Sequence, residues 1–247
     1  MILGGLGAHV RSLSEGCLSR NEWICGDYLD SRRAELLAAT WQHAWITVVS
    51  VVLASVLAFP LALLVRRRPG PKGLLLASST VLYSIPSLAL IPVMVPFTGL
   101  SPWTVVLPLA LYSLAVLLRN TLAGLDGVPT PVVDAARGMG YAPARLLLTV
   151  ELPLALPAIL AGLRIATVSA VAMTTIGGLV GFGGLGTLLL DGQRRNFRAQ
   201  VLTATVLVVA LAVVVDLVLL AVQRAAGRRG GRRAAGAEPV LQGGGPG

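Results

Sequence analysis

The stretch DAARGMGYAPARLLLTVELPLALP, residues 134–157, interrupts the apolar runs of this chain with charges, two glycines and three prolines. Gly140 lies six residues after Asp134, and the polar part closes with Val150-Glu151-Leu152-Pro153. We interpret this stretch as a docking surface for a partner protein. The apolar runs around it would then form a membrane-embedded passage that the partner opens and closes.

The composition is that of a membrane protein with several spans. Of its 247 residues, 55% are hydrophobic and only 13% are charged, whereas soluble domains carry about a quarter charged residues. The formal net charge of +9 does not indicate nucleic-acid binding. Most arginines flank apolar segments, and none alternate with aromatic residues on which bases could stack.

The cysteines and histidines predict no metal centre. Cys17 and Cys25 precede the first apolar run; they could pair in a disulfide if this end lies outside the cell, or remain thiols. Neither His9 nor His43 has a Cys-x-x-Cys motif nearby, and we expect His43 at the membrane boundary. We also expect no cleavable signal peptide, because residues 1–10 lack a basic region and a cleavage site.

Apolar runs predict five transmembrane helices. The first run contains 22 uncharged residues and would be about 33 Å long as a helix, enough for a hydrocarbon core of roughly 30 Å. An extramembrane segment (1–40) precedes the transmembrane domain (41–223), and a disordered Arg/Gly-rich tail (224–247) follows it. The predicted spans are 44–65, 73–97, 103–119, 152–172 and 201–223, with a connecting loop at 120–151.

The distribution of cations predicts the orientation. Twelve lysines and arginines lie in segments 66–72, 119–149 and 224–247, against seven in the segments on the other side of the spans. By the positive-inside rule, the N-terminus is outside and the C-terminus is cytoplasmic. The 120–151 loop then faces the cytoplasm.

The second apolar run contains prolines that interrupt a helix. Pro86, Pro92 and Pro96 remove backbone donors, and Ser87 adds a polar group beside the first of them. Such a segment can be a kinked helix packed against its neighbours, or a broken helix that lines a passage. Both interpretations remain open.

Local signals place two short helices in the loop. Thr130 followed by Pro131 is typical of a helix start, with Asp134 in the first turn near the positive end of the helix dipole. The glycines at 138 and 140 end that helix, and Ala142-Pro143 begins another. Short surface helices of this kind can insert into a groove on a partner. The segment can equally be a solvated loop between spans, and spacing alone does not decide between the two.

The spacing Asp-Ala-Ala, three residues, Gly, nine residues, Val-x-Leu-Pro resembles the EAA loop of ABC-importer permeases. Asp134 stands where that motif has Glu, and Val150 where it has Ile. The resemblance implies an all-α, polytopic, five-transmembrane-helix type I ABC importer permease core with cytoplasmic coupling helices. It also implies that this loop docks on an ATPase subunit. The implied coupling residues are Asp134, Ala135, Ala136, Gly140, Val150, Leu152 and Pro153.

Further blocks resemble permeases for glycine betaine, carnitine, choline and related osmoprotectants. These blocks are SIPSLAL (84–90), LRNT (118–121), ARGMG (136–140), VELPLALPAILAGLR (150–164) and GFGGLG (181–186). The resemblance implies a separate extracytoplasmic binding protein, a second permease subunit (a copy or a similar chain) and a cytoplasmic ATPase that uses ATP and Mg. We expect this chain to be embedded in lipid, to bind no cofactor, and to have no catalytic residues.

Three polar or glycine-rich features inside the membrane domain have two interpretations each. Arg164 and Asp216 could hold a gate, together with Pro86 and Ser87 on the pathway, or form a structural pair. Residues 177–186 could form a re-entrant element near the outer mouth or a flexible loop. Tyr83, Tyr112 and Phe182 are the candidates for a quaternary-ammonium cage, although selectivity could reside in the binding protein.

Other classes of function remain as alternatives. Within the importer class, the alternative substrate is an amino acid. An ATP-independent secondary transporter would be expected to contain inverted repeats and a midplane acid, and neither is evident. A membrane scaffold would leave the spacing of the loop motif unexplained.

Overall fold

The computed structural model describes residues 16–235, with side chains as far as residue 226, and every regular element in this range is helical. His9 and the tail beyond residue 235 lie outside the described residues. In chain order the α-helices are α1 (Gly26–Ser31), α2 (Arg33–Val65), α3 (Pro69–Ser84), α4 (Ser87–Thr98), α5 (Trp103–Asp126), α6 (Thr130–Gly138), α7 (Pro143–Leu146), α8 (Leu152–Thr174), α9 (Leu185–Arg194) and α10 (Arg198–Ala235). A π-helical turn (Leu147–Glu151) precedes α8, and a 3-10 turn (Thr175–Val180) follows it.

The long helices have the length that a bilayer requires. Among the described residues, α2, α5, α8 with its flanking turns, and α10 are long and apolar enough to cross a membrane. The bent pair α3–α4 gives a fifth crossing if it is counted as one span. On α2, Trp45 and Arg66 are roughly 31 Å apart at 1.5 Å per residue, close to the hydrocarbon thickness.

Two tryptophans mark one membrane interface. The rings of Trp45 and Trp103 pack edge to face with centroids 6.5 Å apart, as amphipathic rings do at the headgroup level. We call this the tryptophan end of the bundle. The opposite end, which carries the arginines at 66–68 and the segment 127–151, is the loop end.

Several helices are longer than the hydrophobic runs predicted. Helix α2 begins at Arg33 instead of residue 44, and α5 continues from the predicted end at 119 to Asp126. Helix α10 reaches Ala235, so the predicted disorder from residue 224 onwards is wrong as far as 235. Alanine and arginine are strong helix formers, and a helix does not stop where its hydrophobicity stops. Helix α9 was not predicted.

The predicted break in the second apolar run is confirmed. Helices α3 and α4 are bent by 95° at Ile85 and Pro86. The bend removes the Ile85 carbonyl from helical hydrogen bonding, and the hydroxyl of Tyr112 on α5 donates to it. A side chain of a neighbouring helix therefore satisfies the backbone at the break.

Helix α5 lies at the centre of the bundle, between α2 and α8. Its leucines at 109, 117 and 122 are fully buried. Glycines permit the close approach to α8: a Cβ added to Gly162 would lie 2.3 Å from the Cβ of Asn120. Small residues at crossings of this kind are typical of helices that pack inside membranes.

The N-terminal segment is fastened to the tryptophan end. Cys17 and Cys25 form a disulfide with Cα atoms 5.5 Å apart, which decides between the two alternatives left open by the sequence. The side-chain amide of Asn21 donates to the carbonyl of Asn196 at 2.7 Å. Tyr28 packs edge to face on Phe197, with ring centroids 5.2 Å apart. Helix α1 and the turn between α9 and α10 therefore form one extramembrane layer.

Candidate functional site

The first loop helix, α6, begins one residue earlier than predicted. Pro129 is its N-cap and Thr130 is its first residue, so the threonine side chain does not cap it. Asp134 consequently lies beyond the first turn. There it pairs with Arg137 at 3.3 Å, and both side chains are more than half exposed, so the pair adds little stability.

Gly140 ends this helix in a Schellman turn. The Tyr141 amide donates to the Ala136 carbonyl at 3.2 Å, and the Gly140 amide donates to the Arg137 carbonyl at 2.9 Å. This pattern places Gly140 at a left-handed position, and its φ is +78°. Glycine takes that conformation without the Cβ penalty that other residues incur. The spacing from Asp134 to Gly140 thus sets the length of α6.

The predicted coupling residues divide into an exposed set and an internal set. Asp134, Ala135, Gly140 and Pro153 are exposed, whereas Ala136 is buried and Val150 and Leu152 are partly buried. Leu152 packs against the cluster of Leu125, Ala155 and Ile159 at the start of α8. The internal residues hold the loop helices on the bundle, and the exposed ones face outward.

Apolar side chains add to the exposed surface of the loop. Met139 is 69% exposed and Leu148 is 63% exposed. The guanidinium of Arg145 lies 4.5 Å from the centre of the Tyr141 ring. We call the exposed residues Val132, Asp134, Ala135, Met139, Gly140 and Leu148 the loop surface. Exposed apolar residues on short helices are suited to docking in a groove.

A buried acid anchors the loop to α2, and the sequence did not single it out. The side chain of Glu151 is only 9% exposed and pairs with Arg66, which is 12% exposed. Arg67 approaches the same carboxylate at 3.5 Å. Nearby, Lys72 pairs with Asp126 at 2.5 Å. The sequence offered only a single acid, Glu151, and a separate run of three arginines at 66–68. A pairing across 85 positions cannot be deduced from local pattern.

Arg164 and Asp216 meet within the membrane domain. The guanidinium binds the carboxylate through two nitrogens, with Nη2 2.7 Å from Oδ2. Each side chain is about a third exposed, and both line a cleft of about 380 Å³ that also contacts Ser169 and Gln223. The pair therefore joins α8 to α10.

A second cleft lies between α3 and α5. It has a volume of about 200 Å³ and is lined by Tyr83, Arg119, Asn120 and two small apolar residues. The rings of Tyr83 and Tyr112 pack edge to face with centroids 5.8 Å apart. A small cavity between them shares Tyr83 with this cleft and Ser169 with the first one. We call the surface formed by the two clefts the polar face.

The polar face contains only some of the predicted pathway residues. Arg164 and Asp216 lie on it, and Pro86 lies at the bend beside the Ile85 carbonyl that Tyr112 contacts. Ser87 begins α4 directly after the bend. Phe182 is elsewhere, packed on the cluster that contains Ile46 and Val105, so the three aromatic candidates do not form one cage.

His43 lies two residues before Trp45, near the tryptophan end, and its side chain is fully buried in the protein instead of facing lipid. Its Nδ1 lies 3.0 Å from the Gly183 carbonyl and its Nε2 lies 3.0 Å from the Val171 carbonyl. The ring therefore links α2 to the end of α8 and to the glycine-rich segment. Beside it, the hydroxyls of Thr47 and Thr174 are 3.1 Å apart.

The glycine-rich segment is packed tightly against α2, which contradicts a flexible loop. A Cβ added to Gly184 would lie 2.6 Å from the backbone of Ala39 and His43, and one added to Gly186 would lie 2.2 Å from the Thr175 carbonyl. Backbone contact at these distances leaves no room for any other residue. This segment lies at the tryptophan end.

These features define an integral membrane protein of the transport type, with apolar spans, a polar face and an exposed loop surface. The family model for the binding-protein-dependent transport system inner membrane component matches residues 50–229. The chain belongs to this family. It is an inner-membrane, multi-pass component, and the family works with a binding protein and an ATPase.

Individual relatives agree with this assignment. The carnitine transport permease protein OpuCB of Listeria monocytogenes is 33% identical over 184 residues, which cover 74% of this chain and 84% of that protein. The glycine betaine/carnitine/choline transport system permease protein OpuCD of Bacillus subtilis is 35% identical, covering 81% and 88%. A structure of the MetNI methionine ABC transporter, solved in inward facing conformations, superposes with a TM-score of 0.70 at 27% identity, covering 77% and 95%.

The Glu151 anchor gives a prediction for stability. In Glu151→Gln, Arg66 stays buried without a carboxylate, and we expect the variant to lose about 3 kcal/mol of stability, the usual cost of breaking a buried ion pair. Asp134→Asn is the matched control, because its exposed ion pair contributes at most about 1 kcal/mol. Thermal unfolding of the purified protein in detergent measures both, and equal unfolding temperatures would contradict the anchoring role.

Proposed function

We propose that this chain is the permease subunit of an ATP-driven importer for a small osmoprotectant such as glycine betaine, choline or carnitine. The observation that carries the proposal is the loop surface, which presents the Asp134–Gly140 motif outward at one end of a bundle with a polar face. The names of the relatives at 33% and 35% identity support the substrate class.

The proposed orientation places the loop end in the cytoplasm and the N-terminus outside. The excess of cations on the loop side supports it, and a disulfide between Cys17 and Cys25 is consistent with an oxidising exterior. An ATPase subunit then docks on the loop surface and a substrate-binding protein approaches the tryptophan end. ATP and Mg are used by the ATPase, and this chain contributes no cofactor site and no catalytic residue.

A second permease subunit, identical or similar, completes the passage. The polar face supports this part of the proposal, since it is open in the single chain and holds charged groups that are costly to expose to lipid. Helix α10 has many exposed apolar side chains that lipid or the second subunit would cover. Closure of the docked ATPases would shift the two subunits between inward-open and outward-open states.

An amino acid is the alternative substrate, favoured by one observation. The superposed structure with 27% identity belongs to a methionine transporter. Its sequence is less similar to this chain than those of the permeases named for carnitine and choline. We therefore place the quaternary ammonium compounds first.

Reconstitution tests the function. Proteoliposomes that contain this chain, its ATPase and its binding protein should accumulate labelled glycine betaine or choline only when ATP is present on the ATPase side. Uptake without ATP would contradict the importer. ATP-dependent uptake of methionine and of neither quaternary compound would decide for the amino-acid alternative.

The Schellman turn predicts an uncoupling variant. Gly140→Val puts a β-branched residue at a φ of +78°, at a cost of about 1–2 kcal/mol, and should shift α6 away from its docking position. We expect uptake per ATP hydrolysed to fall several-fold while the protein still inserts in the membrane.

Gly140→Asn is the matched control, since asparagine tolerates left-handed backbone. Apart from its chain neighbours, no atom of the described residues lies within 4 Å of a Cβ at this position, so the two variants differ in conformation and not in crowding. Uptake that is unchanged in Gly140→Val would show that the loop does not couple ATP hydrolysis to transport.

The ion pair between α8 and α10 has a proposed role as a gate. Arg164→Met leaves Asp216 without its cation, and uptake should drop if opening depends on the pair. The double variant Arg164→Met/Asp216→Leu removes both charges and tests whether the pair only holds the helices together. Full uptake by Arg164→Met at normal membrane levels would contradict the gate.

A further inference from the structure

Arg164 and Arg119 both line the polar face, and they differ in how their charge is compensated. Arg164 is neutralised by the carboxylate of Asp216. Arg119 donates to the hydroxyl of Thr80, and in the described part of the chain no carboxylate lies within ion-pair distance of it. A cation within a span is costly unless an anion is near. Among the described residues, Arg119 thus has no negative partner in this cleft.

One aromatic ring, that of Tyr83, lines the same cleft. Tyr83 is 44% exposed and lines the cleft together with Arg119. It lies three residues after Thr80, so that about one helical turn separates the guanidinium from the ring. Tyr112 packs edge to face behind Tyr83, and its hydroxyl is held by the Ile85 carbonyl. The hydrogen bond thus fixes Tyr112, against which the Tyr83 ring packs.

This arrangement offers one group for each end of a zwitterion. The faces of tyrosine rings attract a quaternary ammonium group through cation–π interactions. A guanidinium binds a carboxylate with charge-assisted hydrogen bonds. The cleft volume of about 200 Å³ suits a small molecule. A purely cationic ligand would be attracted to the Tyr83 ring but repelled by Arg119.

We propose that the cleft of Arg119, Thr80 and Tyr83 is a transient binding site for a small carboxylate-bearing quaternary ammonium zwitterion on its way through the passage. Arg119 takes the carboxylate, and the Tyr83 ring takes the ammonium group. This inference rests on the proposed function, because it requires that the passage carry such compounds. It assigns to the permease a part of the selectivity that otherwise belongs to the binding protein.

The test compares a zwitterion with a cation that has no carboxylate. The complete importer, in vesicles of phosphatidylethanolamine and phosphatidylglycerol, is supplied with labelled glycine betaine or labelled choline. Neither lipid has a quaternary ammonium headgroup that could compete for the site. The dissociation constants of the binding protein are measured for both compounds, and a compound that it rejects is replaced by one of the same charge type, carnitine or acetylcholine.

Arg119→Gln keeps a donor for Thr80 but removes the charge. We expect uptake of the zwitterion to fall about tenfold, the effect of losing a charge-assisted hydrogen bond, and uptake of the cation to change less than twofold or to rise. Tyr83→Leu should reduce uptake of both compounds. Tyr83→Phe keeps the ring, so uptake of both compounds should stay at the wild-type level. Phe97→Leu is the matched aromatic control, because Phe97 is 79% exposed on α4 and does not line the cleft.

Each other outcome has a definite meaning. A ratio of zwitterion to cation uptake that Arg119→Gln leaves unchanged overturns the inference, whether both rates fall, as for a structural or lipid-binding arginine, or neither does. In that case the proposed function stands, since the wild-type importer still transports. Absence of ATP-dependent uptake of either compound by the wild type would overturn the proposed function, and this inference with it.

Discussion

Inside a bilayer no water is available for backbone amides, and this constraint governs how the bundle departs from regular helix. The departures occur at the bend between α3 and α4 and at the glycine-rich segment after α8. At the first, the Tyr112 hydroxyl donates to the Ile85 carbonyl. At the second, His43 contacts the carbonyls of Gly183 and Val171. Polar side chains in these spans therefore form hydrogen bonds with backbone carbonyls of neighbouring elements, at or beside the irregular segments.

Charges in the membrane domain follow the same logic. Glu151 at the loop end and Asp216 within a span each meet an arginine on another helix. Such pairs contribute little net stability compared with apolar packing, but removing one partner is costly. Each pair joins elements that are distant in the sequence. Arg119 differs, because among the described residues it pairs with the Thr80 hydroxyl and not with a carboxylate. Its charge therefore remains available in the cleft beside Tyr83.

The sequence predicted the features that depend on local composition. Apolar runs predicted the order of the four long helices and, if the bent pair α3–α4 is counted as one span, of a fifth crossing. Gly140 predicted the end of α6, because hydropathy and left-handed backbone are local properties. Helix ends were missed by eleven residues at Arg33 and by twelve at Ala235, since helices extend past the hydrocarbon boundary. The contacts of His43 and Glu151 could not be predicted, because their partners lie more than 80 positions away and no local pattern encodes such a distance.

Helix α8 connects the loop surface to the polar face mechanically. Its start is anchored to α2 through Glu151, its middle is joined to α10 through Arg164, and its end is held to α2 through the threonine pair at 174. A packed helix that is tied at its start, middle and end resists bending. Under the proposed function, we therefore expect a partner that displaces the loop surface to shift α8 and with it the side chains that line the polar face. Docking at one end would then act on the clefts within the membrane through these polar contacts.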